Sequence, residues 1–140
     1  MTVDELVARG LLERVEADSK AAQELIATAS THLLSARAIA ESDTAGAYQL
    51  GYDGARKAIA AHMTANGLRV VKKKPGGHET TGRYAIAAIN DDAEAIKMFE
   101  RMRRRRNRSE YGVAHFEVTE VVEALDIVER IIGAVARSLP

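Results

Sequence analysis

The chain has 140 residues, which is enough for one domain and short for two. Hydrophobic residues make up 46% of it but aromatic residues only 4%, so the core must consist of small and aliphatic side chains, which favours packed helices over a β-sandwich. The absence of cysteine excludes disulfides, thiolate metal sites and cysteine nucleophiles. Twenty basic and twenty acidic residues cancel, which argues against a uniformly cationic nucleic-acid-binding protein.

The sequence shows no sign of membrane insertion or export. No apolar run approaches the ~20 residues of a membrane span. The N-terminal segment MTVDELVARG is too acidic and polar for a signal peptide. We therefore expect a cytoplasmic protein without a membrane partner.

The first half of the chain predicts three helices. Residues 1–16 contain a short one, which starts at the capping box Thr2-x-x-Glu5 and is interrupted by Gly10. The second spans about 18–41, and the third follows a cap at 42–44 and ends near Asn66. Apolar residues at three- and four-residue steps place two stripes towards the core: Ala22, Leu25, Ile26, Ala29, Leu33 and Ala36 on one helix, and Tyr48, Tyr52, Ala55, Ile59 and Met63 on the next.

The second half begins with a basic, flexible loop over 67–77, which contains three consecutive lysines and a Pro-Gly-Gly turn. A weaker helix follows over 78–89, with Tyr84, Ala87 and Ala88 as its inward residues. Asp91-x-x-Glu94 forms a second possible capping box for the next helix.

The last two predicted helices have clear apolar faces. One carries Ala95, Phe99, Met102 and Arg106, and the other starts near Thr119 and carries Val118, Val121, Val122, Leu125, Ile132 and Val135. No strand shows clean alternation. The prediction is a single all-α domain over residues 1–140, an antiparallel up-and-down bundle of about five helices.

A strongly cationic segment is hidden in the neutral total. Between residues 97 and 108 there are seven basic residues and one acid, Glu100. On a helix Arg106 lies about 20° from Phe99, whereas Arg101 and Arg105 point well away, so one arginine of the segment is aimed inward. Leaving its guanidinium buried and unpaired would cost on the order of 3–5 kcal/mol, so it needs a carboxylate, a phosphate or a dimer cleft. An ion pair, with Asp53 as one candidate, or an extended side chain that reaches solvent would also satisfy it.

Several segments together resemble the HEPN domain family, closest to its small stand-alone, actinobacterial-type members. They are the end of the arginine-rich helix with Arg106-Asn107 and the residues up to 112, the segment 48–57 (YQLGYDGARK), and the helix entry at Gly77-His78. Helix order, the lysine-rich turn and the terminal amphipathic helix are also similar, so the likeness covers nearly the whole chain. The resemblance implies a HEPN-like helical bundle.

What the resemblance implies for function is an RNA-directed module of a toxin or phage-defence system, in many members a metal-independent endoribonuclease. It implies a homodimer with a shared cleft, and a cognate antitoxin or nucleotidyltransferase as a further partner. No cofactor or metal is expected. RNA scission through the 2′-hydroxyl needs a base and a cation to hold the phosphate, for which histidine and arginine are suited.

The residue-by-residue match assigns Arg106 to the phosphate and Asn107 to the polar helper position, and it puts Tyr111 where the family has histidine. A phenol with a pKa of about 10 is a poor general base. The alternative pair Arg108 and His115 has the family spacing. Arg103, Arg108, His78 and the lysines Lys72, Lys73 and Lys74 are predicted to contact RNA phosphates.

Two other functions stay open at this point. One is a non-catalytic module that binds RNA, a nucleotide or a protein partner through the same basic cleft. The other is a dimerisation scaffold in which Arg106 is held in an internal salt bridge. His32 and His62 lie on or beside apolar stripes and are interpreted as satisfied core or boundary residues.

Overall fold

Six helices and two short strands make up the described part of the computed structural model, which covers residues 1–110 and 115–140, with 109 and 110 described by their backbone alone. The elements are α1 (Val3–Ala8), β1 (Leu12–Arg14), α2 (Ser19–Ile39), α3 (Thr44–Ala65), β2 (Leu68–Val70), α4 (Gly77–Ala88), α5 (Ala93–Glu110) and α6 (Val118–Ser138). The chain is thus a mainly helical bundle, as predicted. None of the helices described is long and apolar enough to cross a membrane.

Side-chain caps start the helices where the sequence predicts them. Thr2 Oγ1 accepts from the Glu5 amide at 3.1 Å, and Asp43 Oδ1 accepts from the Gly46 amide at 2.9 Å. The capping box predicted at Asp91 is wrong. The Ala95 amide donates instead to Asp92 Oδ1 at 3.3 Å, because Asp91 is engaged by Arg137.

Helix α3 is the central helix of the bundle, and it packs against α2, α4, α5 and α6. Its predicted inward stripe from Tyr48 to Met63 is buried, which confirms that part of the prediction. Small residues let the neighbours approach closely: a Cβ at Gly54 would lie 3.2 Å from the Ala29 carbonyl oxygen on α2. The side chains that α3 presents therefore have fixed positions.

The prediction of no strand, with 67–77 as loop throughout, is wrong for Leu68–Val70. These residues pair antiparallel with Leu12–Arg14. Leu12 and Leu68 are buried, and Arg69 and Glu13 form an ion pair across the ladder. Three-residue strands are too short for alternation to be recognised in a sequence.

Three inward assignments were wrong. On α4, Tyr84 is buried and Ala88 packs against the core, as predicted, whereas Ala87 is only half-buried and Ala85 is buried instead. On α6, Val118 and Val122 are exposed because the packed face runs through Val121, Leu125 and Val128.

His62 and Tyr84 form a buried polar pair between α3 and α4, with His62 Nδ1 2.7 Å from the Tyr84 hydroxyl. This confirms His62 as a satisfied core residue. Burial disfavours the charged imidazolium and so lowers the pKa of His62.

Because His62 is buried, we predict that acid lowers the stability of the fold at a pH above the range in which carboxylates titrate. Below about pH 6.5 the unfolded chain binds a proton that folded His62 does not, so the free energy of unfolding falls as pH falls, by up to about 1.4 kcal/mol per unit from this group. Urea denaturation at pH 7.5 and 5.5 measures the slope, and the His62→Gln variant removes this contribution. An equal slope in both proteins would contradict the prediction.

Candidate functional site

The arginine-rich end of α5 turns three of its guanidinium groups towards the protein, not one. The side chains of Arg103 and Arg105 are only 18% and 16% exposed, and Arg106 is also half-buried. The expectation of a single inward arginine is therefore wrong. Arg103 and Arg105 can be held close to the bundle because each meets a glutamate, which compensates for their loss of water.

These two ion pairs are bidentate. Arg103 Nε and Nη2 donate to Glu100 at 2.9 and 2.7 Å, and Arg105 donates to Glu120 on α6 at 2.6 and 2.9 Å. Arg105 also lies over the Phe116 ring, 4.1 Å from its centroid. The hydrogen bond to Arg105 lowers the pKa of Glu120. Arg105 thus joins α5 to α6 and has a structural role.

Arg106 contacts two side-chain amides and an aromatic ring. Its Nε donates to the Gln49 amide oxygen at 3.1 Å, and Nη1 lies 3.4 Å from the amide oxygen of Asn107. Its Cζ lies 5.1 Å from the centroid of the Tyr52 ring. Amide oxygens and an aromatic face help to fix the direction of a guanidinium.

Asp53, the acid considered for Arg106, is engaged elsewhere. Arg56 Nη2 lies 2.7 Å from Asp53 Oδ1, and Lys57 and His32 both contact Oδ2. Burial acts to raise the pKa of Asp53, but the hydrogen bonds from Lys57 and Arg56 outweigh it and lower the pKa. The carboxylate is thus ionised and held on α3 by cations of its own helix.

Tyr52 connects Arg106 to His78. Its side chain is fully buried and stacked on Phe99, with ring centroids 5.1 Å apart. Its hydroxyl oxygen lies 2.8 Å from His78 Nδ1, at the start of α4. Burial raises the pKa of Tyr52 to about 12, against the opposing fields of Arg106, Arg56 and Arg103. The phenol therefore keeps its proton at neutral pH.

The structure thus brings three predicted site residues together around one ring. We call this group, Gln49, Tyr52, His78, Arg106 and Asn107, the Tyr52 cluster. Gln49 was not predicted as a site residue from the sequence, and Tyr52 was interpreted only as a core or dimer-seam residue. The available signal was the three-residue spacing, which places Gln49 and Tyr52 on one face of α3, and Arg103 and Arg106 on one face of α5.

The other predicted residues lie elsewhere or outside the described ranges. Lys72, Lys73 and Lys74 are exposed in the connection between β2 and α4. His115 is exposed, with its Nε2 3.7 Å from Glu117. Arg108 is exposed and lines a different surface. Tyr111 lies outside the described residues, as does the predicted helix break at Gly112.

That surface is a groove of about 430 Å³ between α5 and α6. Its lining includes Tyr48 and Met102. Three arginines of α5 and three acids of α6 also line it: Arg101, Arg105, Arg108, Glu120, Glu123 and Asp126. Its charges balance within the groove. The Tyr52 cluster is therefore the better candidate for an anionic ligand.

Comparison of the chain with family models, with curated proteins and with solved structures gives no match. The resemblance to HEPN proteins accordingly stays a prediction.

Proposed function

We propose that this chain is an RNA-directed module that binds the phosphodiester backbone at the Tyr52 cluster. The observation that carries the proposal is the placement of Arg106, a half-buried residue whose guanidinium contacts amide oxygens and a buried aromatic ring. A fixed guanidinium presents its N–H groups in the geometry that matches phosphate oxygens.

The charge around the cluster also favours an anion. Asp53 is shared by Arg56 and Lys57, and Glu100 is shared by Arg103 and Arg104. These side chains contribute four positive and two negative charges beside Arg106. Local excess of positive charge raises the concentration of a polyanion at the surface and speeds its association.

The remaining predicted residues extend this surface. In the proposal Asn107 supplies an amide to the phosphate or its sugar, and Arg103 and His78 add contacts on either side of Arg106. Lys72, Lys73 and Lys74 add phosphate contacts without sequence preference, because an ammonium group reads charge and not base identity. Arg108, which lines the α5–α6 groove, is proposed to contact phosphates from that side of α5.

The proposed setting follows the HEPN resemblance. We place the protein in the cytoplasm as part of a toxin or phage-defence system, acting as a homodimer and controlled by a cognate antitoxin or nucleotidyltransferase. The α5–α6 groove is the proposed binding surface for such a partner, because its arginines and acids complement a protein surface that carries charges of both signs.

Fluorescence anisotropy with a labelled single-stranded RNA tests the binding function. We expect saturable binding whose affinity falls with added salt, with a slope in log–log form of about −0.7 for each phosphate contacted. A matched poly-glutamate peptide of equal charge controls for attraction to any polyanion. No binding at low salt, or equal affinity for the peptide, would contradict the proposal.

A further inference from the structure

We propose that the α5–α6 groove is a binding site for a small zwitterion with an apolar side chain, that is, an amino acid or a short peptide. The groove has a volume of about 430 Å³, which lies within the range of small-molecule sites in proteins. Its lining shares no residue with the Tyr52 cluster, so the inference does not depend on RNA binding there. A ligand in the groove would compete with the protein partner proposed for the same surface.

The first observation is the hydroxyl group of Tyr48. Tyr48 lines the groove, is 4% exposed and stacks on Phe116, with ring centroids 4.4 Å apart. Among the described residues, no group forms a hydrogen bond with its hydroxyl. The one side-chain polar atom that the described part of the chain buries without a partner is Arg56 Nε, so the Tyr48 oxygen reaches the groove surface. Since polar groups of buried residues normally have partners, this hydroxyl is available to a ligand.

The protonation state of Tyr48 indicates what the ligand brings to it. Burial raises the pKa of Tyr48 to about 12, and the charge of Glu120 acts in the same direction against three arginines. The phenol therefore keeps its proton at neutral pH and donates a hydrogen bond. Because a hydrogen bond to an ionised acceptor is stronger than one to a neutral acceptor, Tyr48 favours a ligand with a carboxylate.

The second observation is the set of charges that the groove leaves for a ligand. Half of the charged residues that line it are in ion pairs: Arg105 with Glu120, and Asp126 with Arg37. Of the described residues, none forms a salt bridge with the other three, Arg101, Arg108 and Glu123. Guanidinium groups bind a carboxylate, and the Glu123 carboxylate binds an ammonium group. A zwitterion therefore satisfies both signs, whereas a singly charged ligand satisfies one.

The remaining lining residues are apolar. They are two methionines, an alanine and an isoleucine: Met98, Met102, Ala124 and Ile127. Met102 and Ala124 are buried and give the groove a packed base, and methionine side chains adapt to the shape of a ligand and contact aromatic rings favourably. An apolar side chain gains binding energy by leaving water here, while the charged groups fix its orientation.

Ligand-observed NMR and calorimetry with L-phenylalanine and the dipeptide leucyl-phenylalanine test the site. We expect at least one of them to bind with a dissociation constant of about 1 mM or tighter. Tighter binding of the amino acid or of the dipeptide supports the site in either case and shows which kind of ligand it takes. The N-acetyl and the C-terminal amide forms of the better probe should each bind about tenfold more weakly, because each lacks one charge.

Two variants assign the two ends of the ligand. We expect Arg101→Ala to weaken the better probe about tenfold and to leave binding of its amide form unchanged, because that form has no carboxylate. By the same argument, Glu123→Gln should weaken the free probe and leave the N-acetyl form unchanged. Tyr48→Phe removes only the hydroxyl and should also weaken the free probe. Arg104→Ala is the matched control with no expected effect, since Arg104 lies on α5 outside the groove lining.

Thermal melts verify that every variant is folded. Absence of binding by both probes at about 10 mM would overturn the assignment. Equal affinity for free and blocked probes would also overturn it, as would binding that neither Arg101→Ala nor Glu123→Gln weakens. RNA titrations of Arg101→Ala are expected to stay within about twofold of native, so the failure of this site and the failure of RNA binding are separate results.

Discussion

Replacing Arg106 with alanine is expected to weaken the binding of single-stranded RNA about 10- to 100-fold, whereas Arg104→Ala should weaken it by about twofold or less. Loss of a charge-assisted hydrogen bond to phosphate costs roughly 1.5–3 kcal/mol. The two variants remove the same formal charge from neighbouring positions of α5. Only Arg106 is held against Gln49 and the Tyr52 ring, while the Arg104 side chain is 73% exposed.

Anisotropy titrations of the two variants at one salt concentration measure this difference. The salt slope gives an independent check, since Arg106→Ala should lose close to one phosphate contact. Equal losses in both variants would mean that RNA is attracted by the general charge of α5 and that the fixed orientation of Arg106 has no part in binding.

Replacing Phe99 with alanine is expected to lower the free energy of unfolding by about 3–5 kcal/mol, a large part of the total for a domain of this size. Phe99 is fully buried and stacks on Tyr52. Its removal leaves a cavity beside the ring that supports Arg106 and His78. We therefore expect RNA affinity to fall as well, although Phe99 itself is shielded from any ligand.

Urea denaturation of Phe99→Ala and of Ile86→Ala measures the effect on stability. Ile86 is the matched control, because it is an apolar residue that is 51% exposed, and its truncation should change stability by about 0.5 kcal/mol or less. A loss below about 1 kcal/mol in Phe99→Ala would show that the Tyr52 ring is held by other contacts.

Helix positions were predictable from the sequence because their signals are local. The caps at Thr2 and Asp43 and the apolar stripe of α3 depend on residues three or four apart, which a sequence displays directly. The strand pairing of Leu12–Arg14 with Leu68–Val70 was missed for two reasons. The partners are separated by more than fifty residues, and each strand is only three residues long.

The candidate site was predicted only in part, for a physical reason. Helical periodicity places Arg106 near the face of Phe99, but it does not say which side chain of another helix meets it. The contacts of Arg106 with Gln49 and of Tyr52 with His78 join residues on different helices. For the same reason Arg105 was assigned outward, since its partner Glu120 lies on α6.

The measurement that tests the central claim most directly is a double-mutant cycle between Arg106 and single phosphates of the RNA. Each linkage of a short RNA is replaced in turn by an uncharged methylphosphonate, and affinity is measured for the native protein and for Arg106→Ala. We predict one linkage whose neutralisation weakens native binding about tenfold or more and leaves the binding of Arg106→Ala unchanged. Equal losses for both proteins at every linkage would contradict a direct contact between Arg106 and phosphate.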